Sequence, residues 1–326
     1  MLRKKSWFLL LSIILSLALF AGCQQGDEAP LEKVTILLDW TPNTNYSGLY
    51  AAKDKGYYRE EGLEVEIVQA SGTVPQLLAA EKGEFGVSYQ EEVTFARLEN
   101  IPIVSIAAVV QHNTSGFASF KETGISSPAD FEGKRYGGWG APSEEATIKA
   151  LSERFGADFD QVEMVNAGEA DFFTIIERLA DFAWIYYGWD GVEAELKGLE
   201  LNFIQLTELD PALDYYTPVL ITSESLISKQ PELVKKFMRA TSRGYELAIN
   251  NPEEAAEILL ENAPELDRDL VIASQKWLAD KFQAEAETWG QQDRTTWENY
   301  TRWLYDNHLI DELIQLEQAY TNEFLP

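Results

Sequence analysis

The sequence predicts an α/β protein of two lobes, each a mostly parallel sheet flanked by helices, with a helical C-terminal region. Three observations carry that expectation. Apolar β-forming runs alternate with helical patterns in two successive series, the order that builds parallel sheets with right-handed crossovers. The composition turns polar around Gln111–Gly116, and the chain reads as crossing between the two series near 111–117 and again near 214–219. The last hundred residues carry helical periodicity.

The amino terminus is set aside first. Arg3, Lys4 and Lys5 precede an apolar run from Trp7 to Ala21, too short for a spanning helix and of the form of a secretory signal. It ends LFAGC, with small residues just before Cys23, the one cysteine in the chain. That ending resembles a bacterial lipobox, with Phe20 where Leu is usual. Residues 1–22 are therefore expected to be a signal peptide, Cys23 the lipidation site, and 23–32 a short tether. A lone cysteine leaves no internal disulfide framework.

The first series runs VTILLD (34–39), a helix over about 46–58, LEVEIVQ (63–69), a helix over about 74–82, FGVSY (85–89), a helix over about 91–99, and PIVSIAAVV (102–110). The second runs KRYGGW (134–139), a helix from about Pro142 to Phe155, QVEMVNA (161–167), a helix near 170–179, DFAWIYY (181–187), a helix at about 190–197, and ELNFIQL (200–206). No sequence repeat relates the two. DYYTPVLIT (214–222) reads as a returning strand. Within 231–250, Val234, Phe237, Met238, Thr241, Tyr245, Ala248 and Ile249 form one helical stripe, which Asn251–Pro252 ends. The expected division is 33–112 plus 219–326 for lobe 1 and 113–218 for lobe 2. Two lobes on a double hinge enclose a cleft that a ligand can close.

At 326 residues, with 45% hydrophobic and 12% aromatic content, the chain has ample core and is not of disordered composition. Its formal net charge is −28, and −31 once the three cations Arg3, Lys4 and Lys5 are removed. Such a surface excludes nucleic acid as a partner, which needs clustered Lys and Arg. The only histidines are His112 and His308, and the sequence holds no metal-ligand spacing, phosphate loop or nucleophile elbow. No metal and no cofactor is expected. With 54 acidic residues, no chosen pair of carboxylates is informative on its own.

The chemistry that is present sits where strands end. In LLDWTPNTNYSGLY (37–50), Asp39, Trp40, Asn43 and Tyr46 offer an acid, a flat face, an amide and a phenol at the carboxyl edge of a parallel sheet, where open α/β folds bind ligands. SYQEE (88–92) exposes Tyr89 and Gln90 in the same way, although Tyr89 also reads as the last core residue of its strand. GGWGAPSEE (137–145) adds glycines that let backbone approach a ligand, and the face of Trp139. Ser143 suits an N-cap, and one of Glu144 and Glu145 reads equally as first-turn polarity. DFAWIYYGWDG (181–191) alternates Trp184 and Tyr186 against Ile185 and Tyr187, with Trp189 just past the strand. Stacking a base on an aromatic ring is worth about 1–3 kcal/mol, so paired faces would hold a planar heterocycle.

These segments, with PELVKKFMRATSRGYELAINNPEEAAEIL and WGQQDRTTWENYTRWL in the tail, carry a resemblance over roughly 31–326. The chain resembles the solute-binding lipoproteins of ABC importers that share a fold with the thiamin-pyrimidine synthases of fungi. It is most similar to members that bind formylaminopyrimidine or hydroxymethylpyrimidine for thiamin salvage. The resemblance implies a two-lobed periplasmic-binding-protein fold of the second (type II) sheet order. It also implies a permease and an ATPase as partners, and a location on the outer face of the cell membrane. It carries the ligand role to Asp39, Trp40, Asn43, Tyr46, Tyr89, Trp139, Glu144, Tyr187 and Trp189. Tyr46 stands where many relatives have His. The cysteine-rich motif of the fungal synthases has no counterpart here, which argues against synthase activity.

Three functions are weighed. The first is a monomeric, non-enzymatic binding protein that closes over a thiamin-precursor pyrimidine, whose exocyclic amine suits a carboxylate such as Asp39 or Glu144. The second keeps the class and takes a sulfonate, a nitrate-like anion or a flavin. The third is a secreted pyrimidine-modifying enzyme or carboxylate-driven hydrolase.

Overall fold

A computed structural model of the protein describes residues 30–168 and 170–326. The expected signal segment and Cys23 lie outside the described residues. Among the described residues ten strands form two five-stranded sheets. In chain order they are β1 (Glu32–Leu38), β2 (Leu63–Gln69), β3 (Phe85–Ser88), β4 (Ile103–Ala108), β5 (Ser115–Phe120), β6 (Arg135–Gly138), β7 (Glu163–Asn166), β8 (Phe182–Tyr186), β9 (Leu201–Gln205) and β10 (Val219–Ser223). The first sheet has the order β2-β1-β3-β10-β4 and the second β7-β6-β8-β5-β9.

The two orders are the same pattern. β1 pairs in parallel with β2 and β3, and β6 with β7 and β8. The fourth strand of each sheet is antiparallel to both neighbours: β10 to β3 and β4, β5 to β8 and β9. Each of these is also the strand that the chain enters on arriving from the other sheet. The connections are residues 109–114 and 206–218.

The sequence reading needs one correction here. It takes 111–117 as a polar crossing, whereas β5 begins at Ser115 and is a fully paired inner strand. SGFASF has too little β-branched or aromatic content to announce a strand. Pairing on both sides overrides that weak local preference. Gly116 is required because a Cβ there would lie 2.4 Å from the Ile204 carbonyl oxygen. The returning strand also starts later than expected, at Val219, with Asp214–Pro218 as connection.

The periodic stripe of Pro231–Asn250 lies against the first sheet. Val234, Phe237, Met238, Thr241, Tyr245 and Ala248 are buried, and Ile249 packs partly buried at the margin. Phe237 stacks on Phe85 of β3, with ring centroids 3.8 Å apart, and Tyr245 stacks on Trp289 at 4.0 Å. Helix Arg294–Asp306 serves both halves. Its Trp297 is buried with Val219 and Ile221 of β10, while Tyr300, Trp303 and Leu304 join the core of Phe117, Tyr136 and Phe182 under the second sheet. Among the described residues no helix is long and apolar enough to cross a membrane.

Pro231–Asn250 meets the helix Ser47–Asp54 at two glycines. A Cβ on Gly244 would lie 2.0 Å from the Gly48 carbonyl oxygen, and one on Gly48 would lie 2.3 Å from Cγ of Tyr245. Alanine in a helix is ordinarily about 1 kcal/mol better than glycine. Here overpacking reverses the sign, so Gly244→Ala is expected to destabilise by about 1–3 kcal/mol, read as a lower urea midpoint at unchanged slope.

Candidate functional site

The carboxyl ends of β1, β3, β6 and β8 converge on a cavity of about 240 Å³ between the two sheets. Of the nine expected ligand residues, seven line it: Asp39, Trp40, Asn43, Tyr46, Tyr89, Trp139 and Trp189. Two do not.

The wall from the first sheet is built by the turn after β1. Asn43 caps the short 3-10 turn Thr44–Tyr46, its Oδ1 accepting from the Asn45 N–H at 2.9 Å and its Nδ2 donating to the Thr41 carbonyl at 3.0 Å. That turn swings the buried Tyr46 back toward the strand end, where its hydroxyl donates to Asp39 Oδ1 at 2.8 Å. Burial pushes the Asp39 carboxyl up, and the Tyr89 and Tyr46 hydroxyls pull part of the way back. Glu92, one turn into the helix after β3, accepts from Ser88 Oγ at 2.6 Å and is pushed up to about 7 by burial.

The opposite wall comes from β6 and β8. Gly137 and Gly138 line the cavity, and Trp139 stands edge-on to Trp184 at 5.8 Å. Past Tyr186 the chain makes a single π-helical turn, Tyr187–Gly191, before the helix Val192–Leu196. Such turns insert one residue and re-aim the side chains around it. Trp189 and Asp190 are thereby presented to the cavity, and Tyr187 is not.

Glu144 and Tyr187 therefore need correcting as cavity residues. Glu144 is 1% exposed, and its carboxylate is consumed by the loop that carries it. Oε1 accepts from the Tyr136 hydroxyl at 2.5 Å and the Trp139 N–H at 3.2 Å, and Oε2 from the N–H groups of Gly140 and Ala141 at 2.6 and 2.8 Å. It caps the helix Pro142–Phe155 from within, and Oε1 fills the place where a Cβ on Gly138 would stand. Tyr187 turns away instead. Its ring lies on Phe203 at 4.9 Å and Trp277 at 5.7 Å, and its hydroxyl donates to Glu195 at 2.5 Å.

The structure adds residues that were not nominated. Trp184 and Tyr186 line the cavity, as do Asp171, Asp190 and Glu193. Tyr186 was visible as part of an aromatic run, but which face of β8 looks inward is not written in the alternation. Asp190 is pushed up to about 7 by burial, with Glu193 adding to the rise. Asp39 leans on Tyr46, Asp171 caps its own helix at Thr174, and Glu193 pairs with Lys197 at 2.7 Å. No other side chain donates to Asp190 among the described residues, and the N–H groups of Tyr186 and of Asp190 itself pull its carboxyl part of the way back. No Lys, Arg or His is among the described residues that line the cavity. The wall is thus aromatic and acidic, suited to a flat molecule that donates hydrogen bonds.

Two outcomes follow. Glu144→Ala leaves a buried phenol and three N–H groups without their acceptor, at about 1–3 kcal/mol for each group left unmade. A loss of about 3 kcal/mol or more is expected by chemical denaturation, with Glu144→Gln milder. Asp190, Glu92 and Glu91 are raised to about 7, 7 and 8, all chiefly by burial. A carboxyl raised on folding adds stability that is complete below its ordinary value near about 4 and is lost as pH climbs through the raised one. The ligand-free protein should therefore melt at a lower temperature at pH 8 than at pH 5.5, and Asp190→Asn should flatten part of that slope.

Residues 43–255 match the model of the NMT1/THI5-like family. The formylaminopyrimidine-binding protein of Halalkalibacterium halodurans is 31% identical over 97% of this chain and 98% of its own length. The 4-amino-5-hydroxymethyl-2-methylpyrimidine phosphate synthase of Legionella pneumophila is 28% identical over 90% of this chain and 92% of its own. Among solved structures, the alkanesulfonate-binding protein SsuA of Xanthomonas axonopodis pv. citri, bound to MOPS, superposes with a TM-score of 0.69 over 90% of this chain and 99% of that one, at 13% identity. That likeness establishes the two-lobed periplasmic-binding-protein fold. Relatives by sequence thus include both a binding protein and a synthase, and the chain belongs to the NMT1/THI5-like family.

Proposed function

We propose that the protein is an extracytoplasmic solute-binding protein of an ABC importer that captures a thiamin-precursor pyrimidine by lobe closure and releases it unchanged to a permease. The observation that carries this reading is the cavity wall. Trp40, Trp139, Trp184 and Trp189 give flat faces, Asp39 and Asp190 give acceptors, and no cationic side chain is among the described residues that line it. An aminopyrimidine donates from its exocyclic amine and stacks on both faces. Asp190 supplies the acceptor that Glu144 was expected to supply.

Size and charge weigh against the alternatives. Sites for drug-sized ligands run roughly 300–1,000 Å³, so 240 Å³ suits one substituted ring better than a flavin. A sulfonate would meet acids, and the helix N-terminus at Pro142, the usual kind of anion site, is already filled by the Glu144 carboxylate. A synthase of the fungal kind would need its cysteine-rich motif, and this chain has no cysteine beyond Cys23.

The rest of the proposal follows the sequence reading: cleavage before Cys23 and lipid attachment there, a monomer on the outer face of the membrane, and permease and ATPase subunits as partners. The lobes are 33–112 with 219–326, and 113–218, hinged at the two connections. Asp39, Trp40, Asn43, Tyr46, Tyr89, Trp139 and Trp189 keep their proposed ligand role, joined by Trp184, Tyr186 and Asp190.

Calorimetry with 4-amino-5-hydroxymethyl-2-methylpyrimidine and its formylaminomethyl analogue should show binding at micromolar or tighter, with no product formed. A hydrogen bond to a charged group is worth about 1.5–3 kcal/mol, so Asp190→Asn should weaken binding about 10–100-fold. Heat from an alkylsulfonate but from no aminopyrimidine would overturn the ligand assignment, and turnover of the pyrimidine would overturn the class.

A further inference from the structure

The two connections between the sheets are bonded to each other. Asp214, in the second, accepts the Asn113 N–H on Oδ1 at 2.9 Å, and its Oδ2 lies 2.7 Å from Nδ1 of His112 in the first. Asn113 Nδ2 also donates to the Leu213 carbonyl at 2.9 Å. On the far side of the ring, His112 Nε2 lies 3.0 Å from both carboxylate oxygens of Glu285. Glu285 belongs to the irregular stretch after helix Arg268–Leu278, which is fastened to the first sheet. There the Ala108 N–H donates to the Gly290 carbonyl at 2.9 Å and Trp289 Nε1 donates to the Val109 carbonyl at 3.1 Å.

His112 therefore joins three separate pieces of chain at the place where the lobes are connected. A neutral imidazole has one N–H and can donate to one carboxylate only, leaving the other opposite a lone pair. Imidazolium has two N–H groups and satisfies both.

We propose that His112, Asp214 and Glu285 form a pH-sensitive pin across the hinge, which locks the two connections to each other and to the first lobe when the ring is protonated and lets one carboxylate go when it is not. The pin rests on the hinged-lobe reading above. Asp214 and Glu285 are the charged groups that act on the ring. Partial burial pulls the imidazole down, but the hydrogen bonds and charges of Glu285 and Asp214 outweigh it, so the ring titrates above its ordinary value. Glu285 is correspondingly held below its own, first by the His112 hydrogen bond. The pin is then complete below the unfolded imidazole value of about 6.5 and is lost as pH rises through the higher folded value.

The same connection reaches the cavity. Three residues after Asp214, Thr217 Oγ1 lies 2.9 Å from the hydroxyl of Tyr186, a cavity-wall residue. Tyr215 between them donates to Glu91 Oε1 at 3.2 Å. A change at the pin is thus transmitted along a short, hydrogen-bonded stretch to the wall that a ligand would touch.

With two histidines in the chain, the imidazole signals of wild type and His112→Gln assign His112 directly by NMR. Its pKa should lie above the ordinary value and fall by about one unit in Glu285→Gln. The excess melting temperature of wild type over His112→Gln should be larger at pH 6 than at pH 9. Small-angle scattering of the ligand-free protein should show a wider spread of lobe separations at pH 9, and in Glu285→Gln already at pH 6. A His112 pKa at or below the ordinary value, or unmoved by Glu285→Gln, overturns the pin. A normal pin with identical scattering in all samples overturns its action on the hinge. None of these readouts uses a ligand, so a failure to bind pyrimidines would strike the proposed function and leave the pin standing.

Discussion

The path of the chain between the two sheets is the constraint on which the rest of the structure depends. β10 reaches the first sheet only after the chain has built the second, and β5 opens the second directly after leaving the first. Each lies antiparallel inside an otherwise parallel sheet, hydrogen-bonded on both edges. The first sheet is complete only once β10 returns to it, whereas residues 115–205 build the second without interruption; among the described residues the strands of the two sheets are joined by 109–114 and 206–218. That topology also fixes direction. β1, β3, β6 and β8 all end at the gap, and the loops that follow them have nowhere to go but into its walls.

Those loops contain acids that cost free energy to bury, and the structure treats them in two ways. Glu144 is met by four donors from its own loop and becomes part of the scaffold that holds Trp139 in place. Asp190 is left with its charge disfavoured and no side-chain partner. The backbone N–H groups of Tyr186 and of Asp190 itself offset that rise only in part. The difference between the two acids here is one of partners, and residue type alone does not reveal it. The surrounding rings sharpen the effect, since they exclude water while offering nothing that could neutralise the charge.

Helix Arg294–Asp306 modifies the picture of two independent bodies. Trp297 packs against the first sheet's core, and Tyr300 and Trp303 against the second's. Tyr300 also lies on Tyr215 of the second connection, with ring centroids 4.2 Å apart. Any relative motion of the two sheets would have to slide or carry these contacts.

Much of this was legible in the residues. The α/β alternation, nine of the ten strands, the limits of Pro142–Phe155 and Pro231–Asn250, and the strand-end segments that line the cavity all follow from local periodicity and from Pro, Gly and Asn punctuation. Those are short-range signals, and the chain states them within a dozen residues. β5 was illegible because SGFASF is a strand only through its partners on both sides. Glu144 was expected in the cavity and Asp190 was not nominated, and the structure reverses their placement for a similar reason: a capping contact and a single π-helical turn, each a matter of a few ångströms, decide which carboxylate is held by its own loop and which lines the cavity. Local pattern was enough for the layers, the strand ends that meet at the cavity and the aromatic, acidic character of that edge. Which face of each strand end looks inward, and which acid lines the cavity, emerges only on folding, because burial is set by segments far away in the chain.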